Sequence, residues 1–81
     1  MTEQEIIDKL TAVLAEEFEI EAEEITPESS LKETFGLDSL DLVDVVVLIH
    51  DNFGIKLQGP DFAGVKTFGD FSQLVIRKLN D

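Results

Sequence analysis

The sequence predicts an all-α fold, a small bundle of three main helices with a short helix between the last two and a long loop after the first. Three observations carry that expectation. Apolar residues recur at helical spacing in three separate stretches. Each stretch opens on a capping-box spacing: Thr2 with Glu5, Asp38 with Asp41, and Thr67 with Asp70. Between the stretches lie Pro, Ser and Gly clusters that punctuate helices.

The first helix is the plainest. Ile6, Ile7, Leu10, Val13, Leu14 and Phe18 line one face over about fifteen residues, and the Leu, Ala and Glu between them favour helix. The pattern breaks after Phe18. Residues 19–38 carry Pro27, Ser29, Ser30 and Gly36, with Ile20, Ile25, Leu31, Phe35 and Leu37 as apolar anchors. A loop of this length is uncommon in a compact domain and is often functional. A short helical turn is expected near residues 31–34.

The second long helix is expected from Asp38 to Phe53, with Asp38 as cap and Gly54 as a left-handed C-terminal stop. Its Val43, Val45, Val46 and Val47 favour strand by propensity. A helical wheel decides against strand. With Val46 at the centre, Leu42, Ile49 and Phe53 fall within about 60° on one side. Asp41, Asp44, Asp51 and Asn52 gather opposite, and Leu48 falls among them. Leu40, Val43 and Val47 make a second apolar stripe, which needs either another helix of the bundle or a partner to cover it.

Beyond Gly54, Ile55 and Leu57 anchor an extended link, and Gln58-Gly59-Pro60 is a turn. Pro60 can open a one-turn helix at residues 61–63 that stops at Gly64. The glycines at 59 and 64 make this the expected least stable region. Phe68, Phe71, Leu74, Val75 and Leu79 then line the last helix, with Arg77 and Lys78 in its final turn, where the macrodipole favours cations.

Length and charge narrow the function. The 81 residues make one domain, residues 1–81, and a formal net charge of -12. The first 44 residues hold fourteen carboxylates against two lysines, while the remainder is balanced. Phosphate backbones would be repelled, so nucleic acid is not an expected partner, whereas positive protein surfaces are. Mutual repulsion favours a monomer. With no Cys and one His, neither a thiolate nor a multi-histidine metal site can be built. No twelve-residue calcium loop fits the acidic segments, so no stable metal is expected. The opening MTEQEIIDKL has no signal-peptide character, and no apolar run approaches membrane-spanning length, which points to a cytoplasmic protein without membrane insertion.

Catalysis is not expected either. His50, the one candidate base, stands eleven residues beyond Ser39 on the same helix, about 16 Å along its axis, and is read as a surface or core-edge histidine. Ser39 is nonetheless oddly placed, at the start of a helix and the end of a long loop, where another protein can reach its hydroxyl. A phosphodiester there would meet free backbone N–H groups. Against this, Asp38 and Asp41 are like charges nearby, and serine is common in first turns.

Gly36-Leu37-Asp38-Ser39-Leu40-Asp41 resembles the phosphopantetheine attachment motif of the acyl carrier protein family, whose heart is an aspartate, the modified serine and a leucine. The likeness extends over nearly the whole chain, through Phe53-Gly54-Ile55 to the last helix. It implies an acyl-carrier-like bundle whose Ser39 receives 4'-phosphopantetheine from coenzyme A. The donor enzyme would be a holo-carrier-protein synthase, a phosphopantetheinyl transferase that holds magnesium partly through Asp38. The arm would carry acyl cargo as thioesters for fatty acid or specialised acyl or polyketide synthesis. The same fold also serves peptidyl or aminoacyl carriers, and an unmodified interaction module would borrow it without using Ser39.

The resemblance further implies a partner face. Leu40, Val43 and Val47 correspond to the stripe beside the serine, and Asp41, Asp44 and Asp51 to acids that meet basic patches on acyl-transferring and ketoacyl-synthase-type enzymes. Val45, Val46, Ile49 and Phe53 correspond to inward positions. The chain departs from the family at His50, Asn52, Thr34, Gln58-Gly59 and Phe62-Ala63-Gly64, where acids are common. Phe62 is assigned to the partner-facing surface, with two roles open: a cap on the cargo cavity, or an anchor for the short helix.

Overall fold

The computed structural model describes residues 2–37 and 42–80. Helix α1, Glu3–Phe18, begins as its sequence dictates: the Thr2 hydroxyl accepts from the Glu5 N–H at 3.1 Å, and the Glu5 carboxylate accepts from the Thr2 N–H at 3.0 Å. Two donors that the helix cannot satisfy itself are thereby paired. Its C-terminus is less expected. Glu19 takes the left-handed conformation (φ 55°), its N–H reaches the Ala15 carbonyl, and the Ile20 N–H does so at 2.9 Å. Glycine is the usual residue there, because a side chain makes that conformation unfavourable.

The long loop is pinned as anticipated. Ile25, Leu31, Phe35 and Leu37 are buried, and Ile20 is half-buried. Within the loop lie a 3₁₀ turn, Ala22–Glu24, and the short helix α2, Leu31–Thr34, capped by the Ser30 hydroxyl on the Glu33 N–H. Backbone hydrogen bonds clip the loop to the start of the last helix: Leu31 N–H to the Lys66 carbonyl (3.0 Å), Phe68 N–H to Ser29 (2.8 Å), and Gly69 N–H to Pro27 (2.9 Å). Gly69 is required for this approach, since a Cβ there would stand 2.9 Å from the Pro27 carbonyl oxygen.

Helix α3, Leu42–Phe53, ends at Gly54, whose φ of 71° and bond to the His50 carbonyl make the expected left-handed stop. The start at Asp38 and the Asp38–Asp41 capping box lie outside the described residues. The helix is rotated from the sequence expectation. Val45 and Ile49 are the fully buried positions, while Val46, Leu42 and Phe53 are half-buried. Leu48 and Asn52, expected on the polar side, are half-buried against α1, and the Asn52 amide donates to the Leu48 carbonyl. The centre of the core stripe therefore lies about 80° from Val46 at 100° per residue. On that flank Val13 and Phe18 of α1 line the same cavities as Val45, Leu48 and Asn52.

The short helix after the link is a 3₁₀ turn, Gly59–Phe62, and starts two residues earlier than expected. The Asp61 carboxylate accepts from the Gln58 N–H (2.9 Å) while the Gln58 carbonyl accepts from the Asp61 N–H (3.0 Å), closing the turn from its front. Helix α4, Phe68–Asn80, has the capping box foreseen at Thr67 and Asp70. Beyond the expected Phe68, Phe71, Leu74 and Val75 it also buries Ile76 and Ser72, whose hydroxyl donates to the Gly69 carbonyl. Helix α4 packs on α1, and Leu10, Leu14, Ile49, Phe71 and Val75 meet in one core. Among the described residues the chain forms no strand, only the isolated bridge between Ser30 and Thr67.

Candidate functional site

The motif Asp38-Ser39-Leu40-Asp41 lies outside the described residues; what the structure describes is the pair of supports that hold it. On the N-terminal side, Leu37 is 6% exposed and its N–H reaches back to the Leu31 carbonyl at 3.2 Å. Gly36, at φ 66°, makes that reversal possible. On the C-terminal side, α3 runs from Leu42 and is locked into the core by Val45 and Ile49. Positions 38–41 are thus flanked in sequence by a buried anchor and by a helix locked into the core at two positions.

The other expected site residues separate into a surface and an interior. Val43 and Val47 are 65% and 55% exposed, although both are large and apolar. They are the two described members of the stripe expected at Leu40, Val43 and Val47, Leu40 lying outside the described residues. Asp44 and Asp51 are exposed on the same helix, and His50 lies 3.8 Å from Asp51 with both side chains well solvated. Phe62 instead turns inward: it is half-buried and stacks on Phe71 with ring centroids 5.9 Å apart. Its neighbour Asp61 pairs with Lys78 at 3.2 Å. The Gln58 N–H, and after it Lys78, hold the Asp61 carboxyl below the ordinary carboxylate range.

Two features were missed in the sequence. Between α1 and α3 runs a groove, with a cavity of about 80 Å³ lined by Glu17, Phe18, Asp44, Val45 and Leu48. A second cavity, about 190 Å³, is lined by Val13, Glu16, Glu17, Leu48 and Asn52. The signal that could have found it was Leu48, an apolar residue that the wheel placed among acids. Among the described residues no group of three or more His, Cys, Asp or Glu is arranged to hold a metal ion, and no helix is long and apolar enough to cross a membrane.

The described residues thus form a helical bundle in which buried Leu37 and core-locked α3 flank positions 38–41 in sequence, and in which Val43 and Val47 are uncovered. Comparison with known proteins shows the family. The family model described as the phosphopantetheine attachment site matches residues 8–75. The acyl carrier protein of Saccharopolyspora erythraea is 38% identical over 76 residues, covering 94% of this chain and 80% of that one. The meromycolate extension acyl carrier protein of Mycolicibacterium smegmatis is 39% identical over 69 residues, covering 85% and 70%. In fold, the chain is similar to a solved acyl carrier protein from Enterococcus faecalis, with a TM-score of 0.74 over 96% of this chain and 99% of that one, at 24% identity.

The chain belongs to the acyl carrier protein family. It is a non-catalytic carrier of acyl groups, held on a covalent 4'-phosphopantetheine arm. Such a carrier must meet a phosphopantetheinyl transferase and acyl-transferring enzymes in turn.

Proposed function

We propose that Ser39 is the attachment point and that this chain carries intermediates of fatty-acyl or specialised acyl synthesis. The observation that supports the reading is the match of the phosphopantetheine attachment model over residues 8–75, within which Ser39 lies between buried Leu37 and the core-locked α3 in sequence. The Ser39 Oγ would take the phosphopantetheinyl group from coenzyme A, losing its proton as 3',5'-adenosine diphosphate departs. Asp38 would help the transferase to hold magnesium during that step. The arm supplies a terminal thiol, on which acyl groups are held as thioesters.

The rest of the chain would bind and orient. Val43 and Val47, with Leu40 ahead of them, offer apolar contact area beside the serine, and Asp41, Asp44 and Asp51 complement basic patches on the transferase and on ketoacyl-synthase-type partners. Tethering replaces repeated capture from bulk by a high local concentration. The names of the relatives, acyl carrier and meromycolate extension carrier, support a fatty-acyl rather than an aminoacyl cargo. A cytoplasmic location fits the absence of a membrane-spanning helix among the described residues.

The test is intact-protein mass after incubation with coenzyme A, magnesium and a broad-specificity phosphopantetheinyl transferase. The parent should gain one phosphopantetheine and Ser39→Ala none. Failure of the folded parent to gain mass with several transferases would sink the assignment.

A further inference from the structure

We infer that residues 58–64 form a strap that opens and closes over Phe71 as one unit, held shut by a clasp of two consecutive side chains, Asp61 and Phe62. The backbone of this segment sets it apart. Among the described residues its hydrogen bonds close on themselves: Asp61 N–H on the Gln58 carbonyl (3.0 Å), Ala63 N–H on Pro60 (3.2 Å), and Val65 N–H on Phe62 (3.0 Å). The loop at residues 27–31, by contrast, is joined backbone to backbone with the start of α4. Between its ends, the strap leans on the rest of the molecule through side chains alone.

The ends themselves are fixed. Leu57 before the strap and Phe68 beyond it are each 2% exposed. A glycine stands just inside each end, Gly59 and Gly64, the latter at φ 80°. Motion between these anchors leaves the core in place.

The clasp has two points. The Asp61 carboxylate meets the Lys78 ammonium at 3.2 Å, and the Phe62 ring lies on Phe71 with centroids 5.9 Å apart and planes 27° apart. Phe71 and Lys78 are seven residues apart, so both sit on one stripe of α4, about 10.5 Å from each other along its axis. Two neighbouring residues of the strap thus take hold of separate turns of α4, which lays the strap along that stripe. The other oxygen of Asp61 accepts from the Gln58 N–H at 2.9 Å. One carboxylate therefore both folds the turn and fastens it, and release of the fastening loosens the turn as well. The pair is also shielded, with side chains only 30% and 22% exposed, which separates it from fully solvated ion pairs of little worth.

Released, the strap bares one face of the Phe71 ring, which is 1% exposed when the strap is shut, while α1 and α4 stay packed. The domain then has a shut and an open form that differ on one side only, and Lys78 and Phe62 set the balance between them. The inference stands apart from the assignment of Ser39.

The experiment is amide hydrogen exchange followed by NMR on the full chain, repeated at increasing urea below the unfolding transition. The Asp61, Ala63 and Val65 amides should share one protection factor, lower than those of Leu14 and Val75, and should respond less to urea, because a strap exposes little surface on opening. Lys78→Met should speed exchange at all three by a common factor of about two to five. Phe62→Leu should do the same by about two- to tenfold. An effect of Lys78→Met confined to Asp61 would show fraying rather than one unit, and overturn the inference. So would a urea response equal to that of Leu14 and Val75, which would mean that the segment opens only with the whole domain. Exchange of the three amides at free-peptide rates would show that the clasp does not close. Both variants should still gain the mass of phosphopantetheine on loading; failure of the folded parent to do so would sink the carrier reading and leave the strap untouched.

Discussion

Glu19 is a residue at odds with its conformation. Its φ of 55° closes α1 through two bonds to the Ala15 carbonyl, a task that glycine performs without a Cβ clash, and its carboxylate adds to the negative end of the helix. Glu19→Gly should therefore stabilise the domain by about 0.5–1 kcal/mol, the left-handed penalty of about 1–2 kcal/mol less glycine's extra chain entropy of about 0.5–1 kcal/mol. Urea unfolding measures this directly, and an unchanged or lower midpoint would show that the acid is held by something else. The sequence announced the break after Phe18 but not its form, since no glycine or asparagine marks the stop. Phe62 was similarly ambiguous. The structure turns its ring onto Phe71, a contact that depends on where the link after α3 returns to α4.

At the scale of elements, caps were the most legible part of the chain. The boxes at Thr2–Glu5 and Thr67–Asp70 are local, and short-range chemistry survives whatever the tertiary packing does. Rotation of α3 was not legible. An apolar arc that wide permits several core faces, and the choice among them depends on neighbours distant in sequence, such as the Leu10, Leu14, Phe71 and Val75 that share the core with Val45 and Ile49. The α4 cap yields a pH prediction. Asp70 accepts from the Lys66 and Thr67 N–H groups, and those bonds, Lys66 first, hold its carboxyl below the ordinary 3.8. A lowered folded-state value means that the unfolded chain binds the proton more readily, so stability from this group is present above 3.8 and lost as pH falls through the folded value. Asp70→Asn should melt below the parent at pH 7, and the gap should narrow as pH drops below 3.8. A gap constant down to pH 2 would refute the capping role of the charge.

Across the whole molecule, a formal charge of -12 is confined within a radius of gyration of 11.4 Å. That radius is close to the screening length of about 10 Å in 0.1 M salt, so ordinary ionic strengths act on repulsion between the carboxylates themselves. Melting temperature should rise as sodium chloride is added at neutral pH, and rise further with magnesium. Insensitivity to both would mean that the charges are already spread widely enough to ignore one another. The architecture itself was readable because an all-α chain of this size has few ways to bury three amphipathic faces. The clip between the loop and α4 was not readable, since backbone hydrogen bonds carry no side-chain signature.

That clip makes the middle of the chain a stitched circuit. Leu31 and Lys66 are joined backbone to backbone, with Ser29 to Phe68 and Pro27 to Gly69 beside them, so everything between, including residues 38–41 and all of α3, is a loop with its ends sewn together. A polypeptide severed within that circuit would still have both pieces anchored on the same seam, and α1 and α4 would still grip each other across the cut. With Ser39 as the proposed attachment point, a pull applied there would meet these stitches before it reached the joint between the two outer helices.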